Sequence, residues 1–281
     1  MAAARVWFIT GAGSGFGKLV AELALQHGDH VVATSRTSES LVELQSKFPS
    51  DQLLTIRLDV SRTQEIQDGF AAAREKFGRI DVVFNNAGYA IAGELECIPI
   101  PAAREVFDVD FWGSAQVSLE AVKFFREVNA PGVGGRLLVT GSLTGVITMP
   151  AVGYYSAAKH ALQGFHETLA SELDPGWNVK ITILVPGVFR TAAVGKTVVF
   201  PHHPAYTKPN LPSSVVRTLI TNPDIGSDAL KAAQKIVKLS DLAEPPAILF
   251  LGQDALSALQ AHLSKLSEAV EASRPWSDDL T

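Results

Sequence analysis

Residues 5–20 read "RVWFITGAGSGFGKLV", and this stretch decides the fold. It opens with a continuous apolar run, which is typical of a parallel strand buried on both faces, and it closes with a helical pattern. Between the two, Gly11, Gly15 and Gly17 let the backbone turn tightly and approach a bound phosphate. The helix that follows directs its first N–H groups at such an anion. The stretch therefore predicts a strand–turn–helix unit that binds the phosphates of a dinucleotide.

The same alternation of strand and helix continues along the chain. Strands are predicted at 5–10, 30–34, 53–60, 81–86, 136–142, 179–187 and 247–252, and helices at 15–28, 38–48, 61–77, 101–129, 155–173, 226–239 and 254–273. Short connections between such elements predict an α/β fold: a doubly wound parallel sheet of the Rossmann type, with about seven strands in a three-layer α/β/α arrangement. The sequence contains no repeat or linker, so residues 1–281 are predicted to form a single domain.

Residues 190–225 interrupt this alternation with five prolines and mixed polarity. An insertion of that length in a compact fold is usually functional. It follows the carboxyl end of the sixth strand, which is the edge of the sheet where doubly wound proteins bind ligands. We therefore expect a substrate-binding lid at 190–225, and a plain surface loop is the alternative.

Composition excludes several classes of protein. The chain has 281 residues, a formal net charge of −5 and no basic stripe, which argues against nucleic acid as a partner. No apolar run is long enough to span a membrane, and the N-terminus does not resemble a signal peptide. A single cysteine, Cys97, excludes an internal disulfide and fits a reducing compartment. The prediction is a cytoplasmic protein.

Six motifs in order resemble those of the short-chain dehydrogenase/reductase family over about residues 5–191. They are "TGAGSGFG" (10–17), "LDV" (58–60), "NNAG" (85–88), "GS" (141–142), "YSAAK" (155–159) and "PGVFRT" (186–191). The resemblance implies a nicotinamide dinucleotide site and an oxidoreductase. The cofactor-binding residues that it implies are Gly11, Ser14, Gly15, Phe16, Gly17, Asp59, Asn86, Tyr155, Lys159, Val188 and Thr191.

The end of the second strand indicates which dinucleotide is bound. An acidic residue about twenty positions beyond the glycines would hold a ribose 2′-hydroxyl, whereas a 2′-phosphate needs a cation. The sequence there has no acid before Glu39, but it offers the Arg36 guanidinium and the Ser35 hydroxyl. NADP(H) is therefore predicted, and an ordinary solvated arginine is the alternative.

Tyr155 and Lys159 form the predicted acid/base pair. They stand four residues apart on a helix, so their side chains share a face. A free tyrosine holds its proton too tightly near neutral pH, and a neighbouring ammonium is expected to lower its pKa. The resemblance implies that Ser142 holds the substrate oxygen, that Tyr155 is the general acid or base and that Lys159 also binds the nicotinamide ribose. Tyr154 is four residues from Ala158 rather than from Lys159, so it is expected to be a wall or packing residue.

Asp110 departs from the family pattern, which has an asparagine at this position. In the family that asparagine is thought to hold a water that links the lysine to solvent. An aspartate accepts the same hydrogen bonds but cannot donate one, and when ionised it stabilises the ammonium of Lys159. We expect a proton relay that persists in altered form and includes Asp110 as a catalytic-site residue.

Substrate and partners are indicated only broadly. Apolar residues such as Leu143, Val152 and Phe189, with 198–206 of the lid, predict a hydrophobic ketone or aldehyde and the corresponding alcohol. The C-terminal part resembles retinol- and hydroxysteroid-dehydrogenase-like members, and a tailoring ketoreductase of a polyketide-type pathway is an alternative. A non-catalytic NADP(H)-sensing module is the alternative from another class. The helix at 155–173 is apolar nearly all round, which favours a homodimer over packing within one chain, and no metal site is predicted.

Overall fold

The computed structural model describes residues 4–191, 197–222, 224–278 and 280. Within them, seven strands form one parallel sheet and two short strands form a separate pair. The strands are β1 (Val6–Ile9), β2 (His30–Ser35), β3 (Leu53–Arg57), β4 (Val82–Asn85), β5 (Ile91–Ala92), β6 (Gly135–Thr140), β7 (Val179–Pro186), β8 (Val198–Val199) and β9 (Ile248–Leu251). The order in the central sheet is β3-β2-β1-β4-β6-β7-β9, which confirms the predicted doubly wound topology.

Helices cover both faces of this sheet. They are α1 (Gly15–Gln26), α2 (Val42–Lys47), α3 (Thr63–Phe77), α4 (Ile100–Phe107), α5 (Ser114–Glu127), α6 (Gly153–Glu172), α7 (Pro212–Thr221), α8 (Ala229–Leu239) and α9 (Gln253–Ser273). Val6 and Phe8 of β1 pack in the core on the side of α3, α5 and α6, while Trp7 and Ile9 pack on the side of α1 and α8. Successive side chains of a strand point to opposite faces, so a strand between two helix layers must be apolar throughout. This is why continuous apolar runs predicted the three-layer fold correctly.

Several predicted boundaries were wrong for local reasons. The helix predicted at 101–129 is α4 and α5 joined by a π-helical segment, Asp108–Gly113. The predicted strand 53–60 ends at Arg57, because the Asp59 carboxylate accepts the Ser61 N–H at 3.0 Å and begins a turn. The helix predicted from 226 begins at Ala229, because the Asp228 carboxylate caps it by accepting the N–H groups of Leu230 and Lys231.

The predicted lid has secondary structure of its own where it is described. Residues 192–196 and 223 of the 190–225 segment lie outside the described residues. The rest contains β8, a 3₁₀ turn at Pro204–Tyr206 and α7. β8 pairs in parallel with β5, which follows the carboxyl end of β4. This pairing brings the segment to the ligand-binding edge of the central sheet. Among the described residues, no helix is long and apolar enough to cross a membrane.

Candidate active site

The glycine turn after β1 has a backbone that only glycine tolerates. Gly11 has φ of +69°, and a Cβ there would lie 3.0 Å from the Cα of Ala87. A Cβ on Gly17 would lie 2.3 Å from the carbonyl oxygen of Gly11. Gly15 begins α1 with φ of +56°. The turn therefore forms a close cradle at a helix N-terminus, and it fits the phosphates of a dinucleotide.

The segment after β7 lies across from this turn. A Cβ on Gly15 would come within 3.8 Å of the Thr191 Cβ. The Phe16 ring packs edge-on against Phe189, with ring centroids 5.3 Å apart, and Ser14 is the N-cap residue of α1. Phe189 is buried in the core on the α1 side, and its role as a substrate wall stays a prediction. Its contact with Phe16 joins the segment after β7 to the glycine turn.

Asn86 braces the crevice between β1 and β4, where the strand order reverses. Its backbone N–H donates to the Thr10 Oγ1 at 2.8 Å, and its side-chain amide donates to the Thr10 carbonyl at 3.1 Å. The Thr140 hydroxyl, at the end of β6, donates to the Asn86 Oδ1 at 3.2 Å. Three strand ends are thus tied together at the switch point, the position at which doubly wound sheets bind ligands.

Ser35 and Arg36 lie at the end of β2, beside the glycine turn. The Ser40 hydroxyl contacts the Ser35 Oγ at 2.8 Å, and a Cβ on Gly13 would lie 3.0 Å from that same Oγ. Arg36 is exposed, with its guanidinium carbon 5.8 Å from the centroid of the Tyr89 ring. No carboxylate among the described residues lies within ion-pair distance of Arg36. The guanidinium is therefore available to an anion next to the turn.

Asp59 and Val188 make protein contacts that the sequence did not indicate. The half-buried Asp59 carboxylate accepts from both the N–H and the hydroxyl of Ser61, at 3.0 and 2.8 Å. The Val188 N–H donates to the Asp254 Oδ2 at 2.7 Å. Asp254 belongs to the first turn of α9, far along the chain, and no local pattern would have singled it out. Both predicted positions lie at strand ends on the ligand-binding edge.

Ser142, Tyr155 and Lys159 come together beyond the end of β6. The buried Ser142 hydroxyl accepts the Thr144 N–H at 3.2 Å, which fixes a 3₁₀ turn, and it contacts the Tyr155 hydroxyl. The Lys159 ammonium is buried, 5.8 Å from the centroid of the Tyr155 ring, and it donates to the Thr140 carbonyl at 3.0 Å. This arrangement can bind a carbonyl oxygen, transfer a proton to it and hold a positive charge nearby.

The pKa of Tyr155 does not fall as the sequence predicted. Burial raises it above the ordinary value of a tyrosine, and the Asp110 carboxylate raises it further. The Lys159 ammonium and the contact with Ser142 act in the predicted direction, but they do not outweigh burial. Spacing along a helix revealed the ammonium, whereas the desolvation of the phenol depends on the tertiary packing around it.

Asp110 forms a buried ion pair with Lys159. Its Oδ2 lies 3.3 Å from the Lys159 Nζ, and its Oδ1 accepts the Tyr89 N–H at 3.0 Å. The carboxyl is fully buried in the π-helical segment. Burial raises the pKa of Asp110, and Lys159 opposes that shift. Burial alone would lower the pKa of Lys159, but the carboxylate leaves it above its usual value, which favours the ammonium.

A buried polar network stands behind this group. The Asn85 amide donates to the Ser118 hydroxyl at 2.8 Å, and that hydroxyl lies 2.7 Å from the His166 Nε2. The His166 Nδ1 is 2.8 Å from the Leu162 carbonyl, so it donates there while Nε2 accepts from Ser118. Burial lowers the pKa of His166 to about 4, which keeps the ring neutral. The network joins β4, α5 and α6, and no group of metal-ligating residues occurs within the described ranges.

A second buried ion pair joins α7, in the predicted lid segment, to Glu94, which follows β5. The Arg217 side chain of α7 contacts both carboxylate oxygens of Glu94, at 3.0 and 2.5 Å, and donates to the Phe200 carbonyl at 2.6 Å. The His202 Nδ1 lies 3.4 Å from the same carboxylate. Arg217 and Glu94 are 123 residues apart, so sequence reasoning missed them. Phe200 packs against the same buried apolar cluster as Tyr154, the residue predicted as a wall or packing residue.

Known proteins resemble this chain over most of its length. The family model for short chain dehydrogenase matches residues 5–199. An uncharacterized oxidoreductase of Schizosaccharomyces pombe is 32% identical over 94% of this chain and 87% of its own. A short-chain dehydrogenase from Streptomyces avermitilis has 32% identity and a TM-score of 0.89, covering 99% of this chain and 100% of that one. A short chain dehydrogenase/reductase from Burkholderia phymatum, crystallised with NAD, is 23% identical with a TM-score of 0.77 and 95% coverage of both chains. That last likeness shows the fold alone.

Proposed function

The chain belongs to the short-chain dehydrogenase/reductase family of oxidoreductases, and on that premise we propose that it uses NADP(H) to interconvert a hydrophobic ketone or aldehyde and the corresponding alcohol. The observation that carries the proposal is the meeting of Ser142, Tyr155 and Lys159 at the carboxyl end of β6. They share this edge of the sheet with the glycine cradle after β1. A phenol, a hydroxyl and an ammonium beside a dinucleotide cradle are the groups that carbonyl reduction requires.

Each of the three side chains has a distinct part in the proposed reaction. A nicotinamide held beside these residues would supply the hydride in reduction and accept it in oxidation. Tyr155 donates its phenolic proton to the substrate oxygen in reduction and takes it back in oxidation. Ser142 donates a hydrogen bond to that oxygen as negative charge develops on it. The Lys159 ammonium, held by Asp110 and the Thr140 carbonyl, favours the phenolate through its charge.

NADP(H) is proposed over NAD(H) because of the residues at the end of β2. Ser35 and Arg36 lie beside the turn, and the exposed Arg36 has no carboxylate partner among the described residues. Its guanidinium is therefore free to bind a 2′-phosphate. Arg36→Asp should remove that contact and place a carboxylate near the ribose 2′-hydroxyl. We expect the KM for NADPH to rise about 10- to 100-fold and the KM for NADH to rise less or fall.

Steady-state kinetics with both cofactors measures this preference. Arg74→Asp, which places the same charge change on the exposed side of α3, is the matched control and should leave both KM values unchanged. A wild-type enzyme that prefers NADH would contradict the assignment.

The proposed lid spans 190–225, within a single domain that spans 1–281. Its support is the described part of the segment, in which β8 pairs with β5 and Arg217 holds the Phe200 carbonyl. Phe200 joins an apolar cluster with Ile91, Ile98 and Tyr154 near the start of α6. Such a surface suits bulky lipophilic substrates of the retinol or steroid type, and it would also suit the carbonyl of a polyketide-type intermediate.

Turnover of reduced cofactor distinguishes the enzyme from the alternative of another class, an NADP(H)-sensing module. We expect NADPH consumption with at least one member of a panel of hydrophobic ketones and aldehydes, including steroid, retinoid and polyketide-type carbonyls. Tight NADPH binding without turnover of any panel member would support the sensor instead. The panel member with the highest kcat/KM would indicate whether the preferred substrate is of the steroid, retinoid or polyketide type.

Homodimerisation is proposed through the outer faces of α5 and α6. Ala157, His160 and Gly164 on α6 are exposed, and so are Trp112 in the π-helical segment before α5 and Leu119 on α5. The sequence predicted a helix that is apolar nearly all round, whereas α6 leaves one side exposed. Its small exposed residues and two large apolar neighbours form a face that a second copy would cover. We also propose a cytoplasmic location and a small-molecule substrate as the main binding partner.

A further inference from the structure

The C-terminal helix α9 extends away from the body of the protein. Its first turn is anchored, because Ala255 is fully buried and Asp254 binds the Val188 N–H. From Leu263 to Ser273 every residue is exposed. At 1.5 Å per residue the helix is about 30 Å long, so roughly half of it has no covering from the described part of its own chain.

The exposed part of α9 carries a continuous apolar stripe. Leu256, Leu259, Leu263, Leu266 and Val270 follow one another at alternating spacings of three and four residues. This seven-residue repeat puts all five on one face of the helix, which is the pattern by which helices pair along a seam. Leu263, Leu266 and Val270 are 54%, 49% and 59% exposed, and the nearby Trp276 is 82% exposed. We call these six residues the α9 stripe.

Charged residues avoid this face. Between 256 and 273 the charged side chains are Lys265, Glu268 and Glu271, and all three fall on the side opposite the stripe. The positions that flank the stripe are Gln260, His262, Ser267 and Ala269, which carry no fixed charge. A helix that lies on a membrane has a basic polar face, whereas the polar face of α9 carries two acids and one lysine over this span.

We propose that the α9 stripe pairs with the α9 stripe of a second copy of this chain, with the two helices antiparallel. In this pairing Leu263 faces the partner's Leu266 and Leu259 faces the partner's Val270, and two-fold symmetry repeats each contact. Uncharged flanks then meet uncharged flanks, so no like charges are opposed. The two bodies lie at opposite ends of the helix pair, whereas a parallel pair would force both bodies to the same end. Trp276 reaches the partner's anchored first turn.

The pairing through α9 is separate from the contact proposed for α5 and α6. It should double the mass of the species that forms through α5 and α6 alone. Light scattering should therefore show the mass of Leu263→Glu/Leu266→Glu to be half that of wild type. Ala261→Glu/Ser264→Glu puts the same charges on the opposite face, and it should keep the wild-type mass. Both variants should bind NADPH as wild type does, which confirms folding. Equal masses for wild type and Leu263→Glu/Leu266→Glu would overturn the proposal.

A crosslink tests the antiparallel register. In a Cys97→Ser background, oxidation of a mixture of Leu259→Cys and Val270→Cys chains should join one chain of each kind, and neither variant should crosslink to itself. A mixture of Ala261→Cys and Glu268→Cys chains, which carry the thiols on the opposite face, should form no crosslink. Self-crosslinking of each variant without mixed disulfides, as a parallel pair would give, or no crosslinking at all, would overturn the antiparallel pairing. Sedimentation of wild type, but not of Leu263→Glu/Leu266→Glu, with phosphatidylserine vesicles would overturn a second copy in favour of a membrane surface.

Discussion

At the scale of single residues, two adjacent tyrosines have different surroundings. Tyr155 contacts Ser142 and lies beside Lys159, while Tyr154 packs in the apolar cluster with Phe200. This is the division that helical spacing predicted. The pair therefore provides a matched test within one dipeptide.

Tyr155→Phe should lower kcat by about 10²- to 10⁴-fold, because it removes the proposed proton donor without removing the ring. NADPH binding should persist, since the glycine turn is untouched. Tyr154→Phe removes an equivalent hydroxyl one residue away and should leave kcat within a few-fold of wild type. Equal losses in the two variants would contradict the assignment of the acid.

Asp110→Asn should move the pH profile of alcohol oxidation to lower pH. Oxidation needs Tyr155 in its phenolate form, and the Asp110 carboxylate raises the pKa of Tyr155. Removing that charge lowers the pKa, so kcat/KM reaches its plateau at a lower pH. Asp108→Asn, an exposed neighbour in the same segment, should leave the profile in place. An unchanged profile in Asp110→Asn would show that the ion pair does not act through Tyr155.

The positions of the site residues could be predicted, but their electrostatic state could not. Tyr155, Lys159 and Ser142 were located by motif and helical spacing, and the structure brings them together. The net direction of the Tyr155 pKa was wrong because burial outweighs the ammonium. Asp254 and Arg217 were missed because their partners, Val188 and Glu94, are distant in sequence.

At the scale of helices and strands, an element could be predicted when its apolar pattern was long enough to recognise. The seven strands of the central sheet were found because each is a run of apolar residues. β5 and β8 have two residues each, too few for any pattern to register. α7 was missed because it lies in a proline-rich segment, although Pro212 begins the helix at a position that proline tolerates.

The ion pair between Arg217 and Glu94 should dominate the stability of the lid. Arg217→Ala leaves a buried carboxylate without its partner, so we expect a loss of about 3–5 kcal/mol from the free energy of unfolding of this region. Removing both partners in Glu94→Ala/Arg217→Ala should cost less than removing Arg217 alone. Hydrogen exchange of residues 197–222 near neutral pH measures the loss, and equal losses in the two variants would contradict coupling.

The same pair sets a pH limit on the lid. Arg217 holds the pKa of Glu94 at about 2, below its ordinary value of 4.5, against the opposing effect of burial. A lowered pKa contributes stability that is fully present above the ordinary value and is lost as pH falls towards 2. Protection of the lid against hydrogen exchange should therefore be constant near neutral pH and should fall as the pH is lowered from about 4.5 towards 2.

At the scale of the whole molecule, binding of the cofactor at the glycine turn should raise the stability of the folded chain. NADPH at a hundred times its Kd should stabilise the protein by about 2.7 kcal/mol, which raises the Tm by several degrees. Gly17→Ala should abolish this increment, because its Cβ would lie 2.3 Å from the Gly11 oxygen and distort the turn. Gly164→Ala adds a methyl that meets no atom of its own chain within 4 Å, and this variant should keep the increment. Thermal melts with and without NADPH compare the two variants.

The architecture as a whole was readable from the sequence because the order of elements leaves few topologies. Alternating strands and helices indicated the three layers, and the glycines after β1 located the crevice. The extent to which α9 projects was not readable. Its repeat is equally compatible with packing against the body, and only the structure shows that residues 263–273 are exposed.

Because of the π-helical segment Asp108–Gly113, the position of Asp110 beside Lys159 depends on the number of residues in this stretch of the chain. Hydrogen bonds that reach back five residues rather than four accommodate one extra residue, so the segment is equivalent to a single insertion in an otherwise continuous α-helix. Deleting the exposed Trp112 would let that helix wind regularly and turn Asp110 by about 100° relative to α5. The carboxylate would then leave Lys159 with its side chain unaltered. In related sequences, a one-residue deletion in this segment would therefore indicate the loss of the ion pair with Lys159, just as an asparagine in place of Asp110 would.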